Sequence, residues 1–179
     1  MLYKFHYKTP DGFSDMLMVS DGEYLTGLWF DGSKDALKHV TDCEEKLLPV
    51  FEDTVKWLDI YFSGKSPNFI PKYKIADITD FRREVVDIML EIPFGKTRTY
   101  GEIAHMIAKK HGMAKMSSRA VGRAVGWNPI CIIIPCHRVV GSNSSLTGYG
   151  GGINNKIALL KHENNDMSKF TVPKKGTAL

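Results

Sequence analysis

The chain has 179 residues, 43% hydrophobic and 25% charged, the balance of a globular protein with one large domain or two small ones. No apolar stretch reaches the ~20 residues of a membrane span, the N-terminus lacks the apolar core of a signal peptide, and three cysteines fit no disulfide framework; the reading is a cytoplasmic protein with no membrane partner. The net charge of +4 is unevenly spread: residues 1–78 carry nine lysines against 13 acidic side chains, a balance of −4, and residues 79–179 carry 15 basic against seven acidic side chains, a balance of +8. A basic half of this kind either meets a polyanion or is ordinary surface scatter.

Residues 2–7 alternate loosely, residues 9–12 (Thr-Pro-Asp-Gly) signal a turn, and residues 17–19 follow; residues 20–22 turn again, and residues 24–30 form a third strand. The expectation is an antiparallel meander. Ser33 is a candidate N-cap for a helix over residues 36–45. Pro49 interrupts that pattern, a second helix covers residues 50–62, and residues 63–68 end it. Residues 71–78 read as a linker or short edge segment. His39 and Cys43, four apart, read as core or surface positions, and no metal site is expected.

In the basic half, Thr79 or Asp80 caps a helix carrying Phe81, Val85, Val86, Ile88, Met89 and Leu90, and residues 92–95 stop it. Thr99 caps a helix over residues 100–110, ended by His111 and Gly112; Ser117 or Ser118 caps the next, over residues 119–127, ended by Asn128-Pro129. Two short helices with a glycine-containing connection, the second rich in small residues and arginine, fit a helix-turn-helix; they also fit a simple packing pair. The charge of this half favours nucleic acid.

Residues 130–134 are apolar and mostly β-branched, and read as a buried strand ended by Pro135. Cys136, His137 and Arg138 follow at once. A thiol beside a base and positive charge is a candidate nucleophile; a lone buried cysteine would be a small hydrophobe. Cys131, at odd spacing from Cys136, reads as a core residue. Beyond a polar turn, Gly150, Gly151 and Gly152 beside Tyr149 permit close ligand approach, or form a flexible loop. Asn154 or Asn155 caps a last helix over residues 156–163, and the residues after Asn164 read as disordered.

Residues 135–139 (Pro-Cys-His-Arg-Val) resemble the signature of the O6-alkylguanine-DNA alkyltransferases. In the same order along the chain, residues 99–104 (Thr-Tyr-Gly-Glu-Ile-Ala) resemble that family's tyrosine segment and residues 118–122 (Ser-Arg-Ala-Val-Gly) its recognition helix. Asn128-Pro129 resembles its asparagine turn, residues 148–151 its binding loop and residues 159–163 its last helix. The likeness spans residues 79–165; residues 1–78 share only a general layout.

The resemblance implies an α+β fold. A small N-terminal antiparallel sheet with helices, related to the ribonuclease-H-like fold, would occupy residues 1–78, and a mainly helical, winged helix-turn-helix-like domain residues 79–179. It implies that a monomer repairs double-stranded DNA containing O6-alkylguanine, without a cofactor, by moving the alkyl group irreversibly onto Cys136, once per molecule. His137 would prepare the thiolate through a water, with Glu163 orienting the imidazole. Tyr100 would donate a hydrogen bond to the departing guanine, unless it is only a capping aromatic. Asn128 would hold the recognition helix against the active-site segment. Arg119 would fill the space of the flipped base, or contact a phosphate; Ala120, Gly122 and Ala124 would let the helix sit deep in the minor groove, Ser118 would belong to the same DNA-binding helix, and Arg123 would add a phosphate contact. Val139 would accept from the guanine amino group, and Tyr149, Gly150 and Gly151 would line the base, Gly150 with a backbone N–H where some relatives carry serine. The competing readings are an alkyltransferase-like DNA binder without chemistry, which would lack Cys136, a Cys–His hydrolase, and a redox or zinc site.

Overall fold

The computed structural model describes residues 1–33, 36, 42–147 and 149–173. The architecture is α+β, in two compact units: Met1–Asp77 with Pro129–Ile133, and Ile78–Asn128 with Ile134–Leu179.

The first unit is built on a sheet of β1 (Leu2–Tyr7), β2 (Met16–Ser20), β3 (Leu25–Phe30) and β4 (Cys43–Glu45), in the order β3-β2-β1-β4. The meander is antiparallel as read. All five residues of the interior strand β2 are buried, so it shows an apolar run instead of alternation. β4 corrects the helix expected over residues 36–45: Cys43–Glu45 pairs parallel with β1, Leu2 opposite Cys43. Parallel pairing has no local turn signal. Ser33 Oγ does accept from the Ala36 N–H at 3.2 Å; residues 37–41, with His39, lie outside the described residues. Helix α1 (Pro49–Phe62) is the second helix as expected, begun one residue early on Pro49 itself, since the first helical position needs no N–H donor. It buries Val50, Phe51, Thr54, Trp57, Leu58 and Tyr61, a single stripe at helical spacing. Tyr73 bridges to Leu25 as an edge segment.

Residues 130–134 are not a strand. Ile130 makes one bridge, to Leu28, and Ile132 then takes a positive φ of 67°, inside a γ-turn closed by the Ile133 N–H on the Cys131 carbonyl at 2.8 Å. A β-branched residue in this region costs about 1–3 kcal/mol, which periodicity cannot foresee. Residues 129–133, counted with the basic half in the sequence reading, thereby fold with the first unit.

The second unit holds α2 (Asp80–Leu90), β5 (Arg98–Thr99), α3 (Tyr100–Lys110), α4 (Ser118–Gly126), β6 (Val139–Val140) and α5 (Ile153–His162). Local chemistry sets the helix starts. Thr79 accepts from the Arg82 N–H, Thr99 and Glu102 close a capping box, and Ser117, not Ser118, caps α4. α4 buries only Val121, Ala124 and Val125, leaving Ser118, Arg119 and Arg123 exposed. The Arg82 guanidinium lies 4.1 Å from the Trp127 ring centroid, a cation–π contact between α2 and the end of α4. Gly152, at φ 86°, is the N-cap of the last helix and offers no side-chain cap; Asn155, expected as a candidate cap, sits inside the helix and donates to the Gly151 carbonyl at 2.8 Å. Among the described residues, no helix is long and apolar enough to cross a membrane.

Candidate active site

Pro135 ends the apolar run in an inverse γ-turn: its φ of −82° and ψ of 62° bring the Cys136 N–H to the Ile134 carbonyl at 2.8 Å. The chain then tightens into a single 3-10 turn, Cys136–Arg138. Asn128, directly after α4, donates from Nδ2 to the same Ile134 carbonyl at 2.8 Å. The end of α4 is thus fastened two residues before the thiol. Parallel pairing of β5 with β6 sets Thr99 opposite Val140, so Tyr100, the first residue of α3, starts beside the segment that carries Cys136.

Cys136 is 5% exposed and His137 fully buried. His137 Nε2 lies 2.7 Å from Glu163 Oε1, at the C-terminal end of α5. Glu163 is the centre of a dense set of donors. Arg138 donates from Nε and Nη2 at 3.0–3.1 Å, and the Gly95 N–H donates at 2.9 Å. Arg138 Nη1 continues to the Ile92 carbonyl at 2.7 Å. Gly95 stands at φ 74°, and a Cβ there would lie 2.9 Å from the Glu163 carbonyl oxygen, so the corner after α2 takes only glycine.

Burial alone would raise the Glu163 carboxyl, but the His137 hydrogen bond and the Arg138 charge outweigh it and hold the group down at about 2. Burial pushes the His137 imidazole below its ordinary range, against the opposing pull of Glu163. The pair is therefore a carboxylate and a neutral imidazole at neutral pH. An ionised carboxylate only accepts, so Nε2 carries the proton and Nδ1 the basic lone pair.

Arg138 spends its charge on Glu163; the buried cation whose charge couples to that of Cys136 is Lys156, which the sequence reading missed. Lys156 is fully buried. Its ammonium donates to the Val139 carbonyl at 2.6 Å and to the Thr147 carbonyl at 3.4 Å, and it lies 5.7 Å from the Tyr149 ring centroid. Burial pulls its pKa down to about 8, and the charge of Cys136 works the other way. A signal was present: residues 156, 159, 160 and 163 lie on one face of α5, and Lys156, Leu159, Leu160 and Glu163 are all buried, a charge at each end of an apolar stripe.

Tyr100 donates its hydroxyl to the Thr147 carbonyl at 3.2 Å, and its ring faces Gly122 of α4, where a Cβ would meet it at 3.8 Å. Burial first, and the charge of Cys136 second, push the phenol up to about 12 against the Thr147 hydrogen bond, so it keeps its proton at neutral pH. Val139 and Gly151 are buried, Ala120, Gly122 and Tyr149 half-buried, and Gly150 exposed; Gly148 lies outside the described residues. Cys136, His137 and Glu163 thus form one buried cluster, Tyr100 and Lys156 meet at the Thr147 carbonyl, and Ser118, Arg119 and Arg123 stand on the exposed face of α4. Among the described residues no group of three or more His, Cys, Asp or Glu side chains is gathered to hold a metal ion.

Residues 80–165 match the family described as 6-O-methylguanine DNA methyltransferase, DNA binding domain. A methylated-DNA–protein-cysteine methyltransferase of Methanosarcina acetivorans is 40% identical over 162 residues, 90% of this chain and 98% of that protein. One of Mycobacterium tuberculosis is 49% identical over 113 residues, 63% of this chain; the match spans 65% of that relative's length. Among solved structures, the O6-methylguanine methyltransferase of M. tuberculosis superposes with a TM-score of 0.74 at 37% identity, over 91% of this chain and 93% of that one. The same organism's protein solved in complex with DNA superposes with a TM-score of 0.72 at 36% identity, over 94% of each chain.

Proposed function

The chain belongs to the methylated-DNA–protein-cysteine methyltransferase family, and on that premise we propose that it repairs duplex DNA by taking the alkyl group from O6-alkylguanine onto Cys136. The observation that carries this reading is the single turn that buries Cys136 and delivers the adjacent His137 to Glu163 at 2.7 Å.

The chemistry is one displacement. His137 takes the Cys136 thiol proton at Nδ1 through a water, and the imidazolium is stabilised by the Glu163 carboxylate. The buried Lys156 ammonium favours the resulting thiolate. The sulfur attacks the alkyl carbon, an S–C bond forms, and the C–O6 bond breaks with its electron pair passing to guanine. Tyr100 hydrogen-bonds a ring nitrogen of the leaving base and passes its proton to it, and the proton that His137 took from Cys136 returns through solvent to the phenol, so guanine departs neutral and both side chains end as they began. The thioether is stable and nothing returns the thiol, so each chain acts once. O6 of guanine lies inside the base stack, so the nucleotide must be turned out of the duplex. Arg119 fills the gap, and Arg123, one turn on, holds phosphate. DNA binding and alkyl acceptance both belong to residues 79–179, the half with a balance of +8, and a single chain is the acting unit.

Incubation with a duplex carrying O6-methylguanine is expected to raise the intact mass by one methyl-for-hydrogen exchange, mapped to the Cys136 peptide. An unchanged mass, or a label elsewhere, sinks the reading.

Two variants separate flipping from chemistry. Arg119→Ala is expected to slow transfer from duplex DNA strongly and to leave transfer from free O6-benzylguanine nearly intact, because the free base needs no flipping. Tyr100→Phe is expected to slow both, by roughly tenfold to hundredfold, the worth of one desolvated hydrogen bond. Equal slowing of both substrates by Arg119→Ala would put Arg119 in the active site or the fold.

Lys156→Met keeps the volume and removes the charge. Both substrates are expected to react about tenfold to hundredfold more slowly, since a charge-assisted contact of about 1.5–3 kcal/mol is lost. Rates matching the parent, measured as second-order constants, would mean that the ammonium does not stabilise the thiolate.

A further inference from the structure

Residues 165–171 are not the loose tail that their polar composition suggests; residues 174–179 lie outside the described residues. The chain reverses as the Asn165 N–H and Nδ2 both donate to the Leu160 carbonyl, at 3.0 and 3.1 Å. Asp166 then accepts from the Ser168 N–H and hydroxyl, at 3.1 and 2.7 Å, and sets the 3-10 turn Met167–Lys169. Thr171 bridges in parallel to Ser145. The Leu146 N–H donates to the Thr171 carbonyl at 2.8 Å, and the Thr171 N–H to the Ser144 carbonyl at 3.2 Å.

What this segment grips is strained. Asn143 and Ser144 take φ values of 54° and 55° in succession, a left-handed pair of non-glycine residues costing about 1–3 kcal/mol each, which persists only where the surroundings over-determine it. Leu146, fully buried, forms a cluster with Val140 and Leu160, and Met167 and Phe170 pack against that cluster. The next carbonyl along the loop, that of Thr147, is the one shared by the Tyr100 hydroxyl and the Lys156 ammonium.

We infer that residues 166–171 are a positioning brace for the substrate loop, holding the Thr147 carbonyl, and with it the acid Tyr100, in register with Cys136, while Lys156 keeps its shorter bond to the Val139 carbonyl; this assignment rests on the alkyl-transfer reading. Main-chain pairing on both sides of Ser145 fixes the loop's path, and Met167 and Phe170 fix its depth.

The test compares the full chain with Met167→Ala/Phe170→Ala and with the conservative Met167→Leu/Phe170→Leu. In the alanine pair, hydrogen-exchange protection of the Leu146 amide is expected to fall at least about tenfold, and the half-saturating concentration of O6-benzylguanine to rise about tenfold. Alkylation of Cys136 by iodoacetamide, which needs no loop, is expected to stay within about twofold of the parent. The leucine pair is expected to restore all three values. Unchanged Leu146 protection overturns the brace. So does an equal loss of iodoacetamide reactivity, which would mean that the whole site had been damaged. Failure of the alkyl-transfer reading looks different: the parent moves no alkyl group to Cys136, while Leu146 still loses protection in the alanine pair.

Discussion

Cys136→Ser is expected to abolish alkyl transfer while leaving a folded chain that still binds DNA. Serine is nearly isosteric, so the turn Cys136–Arg138 can close around it. A hydroxyl in a site only 5% exposed costs about 1–3 kcal/mol if it finds no partner, a visible fall in melting temperature and not a loss of fold. The chemistry is another matter. The thiolate is accessible to a neutral imidazole base, whereas an alkoxide is not, so the nucleophile disappears. Cys131→Ser is the matched control: Cys131 is also 5% exposed, but it stands in the γ-turn of the first unit. It is expected to transfer at the parental rate. Peptide mapping of a labelled methyl group decides, and label on Cys131 would overturn the assignment of the acceptor.

Where the signal is local, the sequence was enough. Thr99 as an N-cap places the start of α3 to the residue, where the structure adds Glu102 to complete a capping box; His111 and Gly112, the latter at φ 63°, mark its end. The three meander strands follow from turn chemistry at residues 9–12 and 20–22. What failed was nonlocal. β4 is a strand only because β1 lies beside it. The apolar run before Pro135 has strand composition, yet Ile132 turns it, because burial and not period decides such a run. The order of residues 165–171 leaves no local signal because Thr171 finds its partners 25–27 residues upstream, at Ser144 and Leu146.

The site divides in the same way. Cys136 and His137 are adjacent and were legible from residue chemistry. Glu163, 26 residues beyond His137, entered only through the family resemblance. Next to Cys136 in the chain, Arg138 suggests support for the thiol, whereas its guanidinium answers Glu163. Electrostatics explains that exchange: a carboxylate with no exposed surface needs a counter-charge at hydrogen-bond distance, and the neutral imidazole alone does not supply one. The thiol's own cation had to come from elsewhere, from the opposite end of the helix that carries Glu163.

Glu163→Gln is expected to cost about 3–5 kcal/mol at neutral pH, the range for breaking a buried, hydrogen-bonded pair. The amide oxygen can still accept from His137, but the amide NH2 would face the donors of Arg138 or Gly95, and Arg138, with a side chain 11% exposed, loses its counter-charge. The pH dependence identifies the cause. Glu163 stands at about 2 in the folded chain, against 4.5 for a glutamate free in solution. Between those values the unfolded chain binds the proton and the folded chain does not, so stability rises with pH. The contribution is complete above about pH 4.5 and is lost as the pH falls towards 2, about 3 kcal/mol in all. His137, depressed by burial, acts earlier: its unfolded form takes up a proton below about pH 6.5, and that limb persists in the glutamine variant. Urea titrations of parent and variant from about pH 7 down to 2 therefore separate the two groups. The stability gap is expected to narrow by about 3 kcal/mol below pH 5. A gap constant down to pH 2 would mean that Glu163 is not the ionised partner of His137, and the base assigned to Cys136 would lose its support.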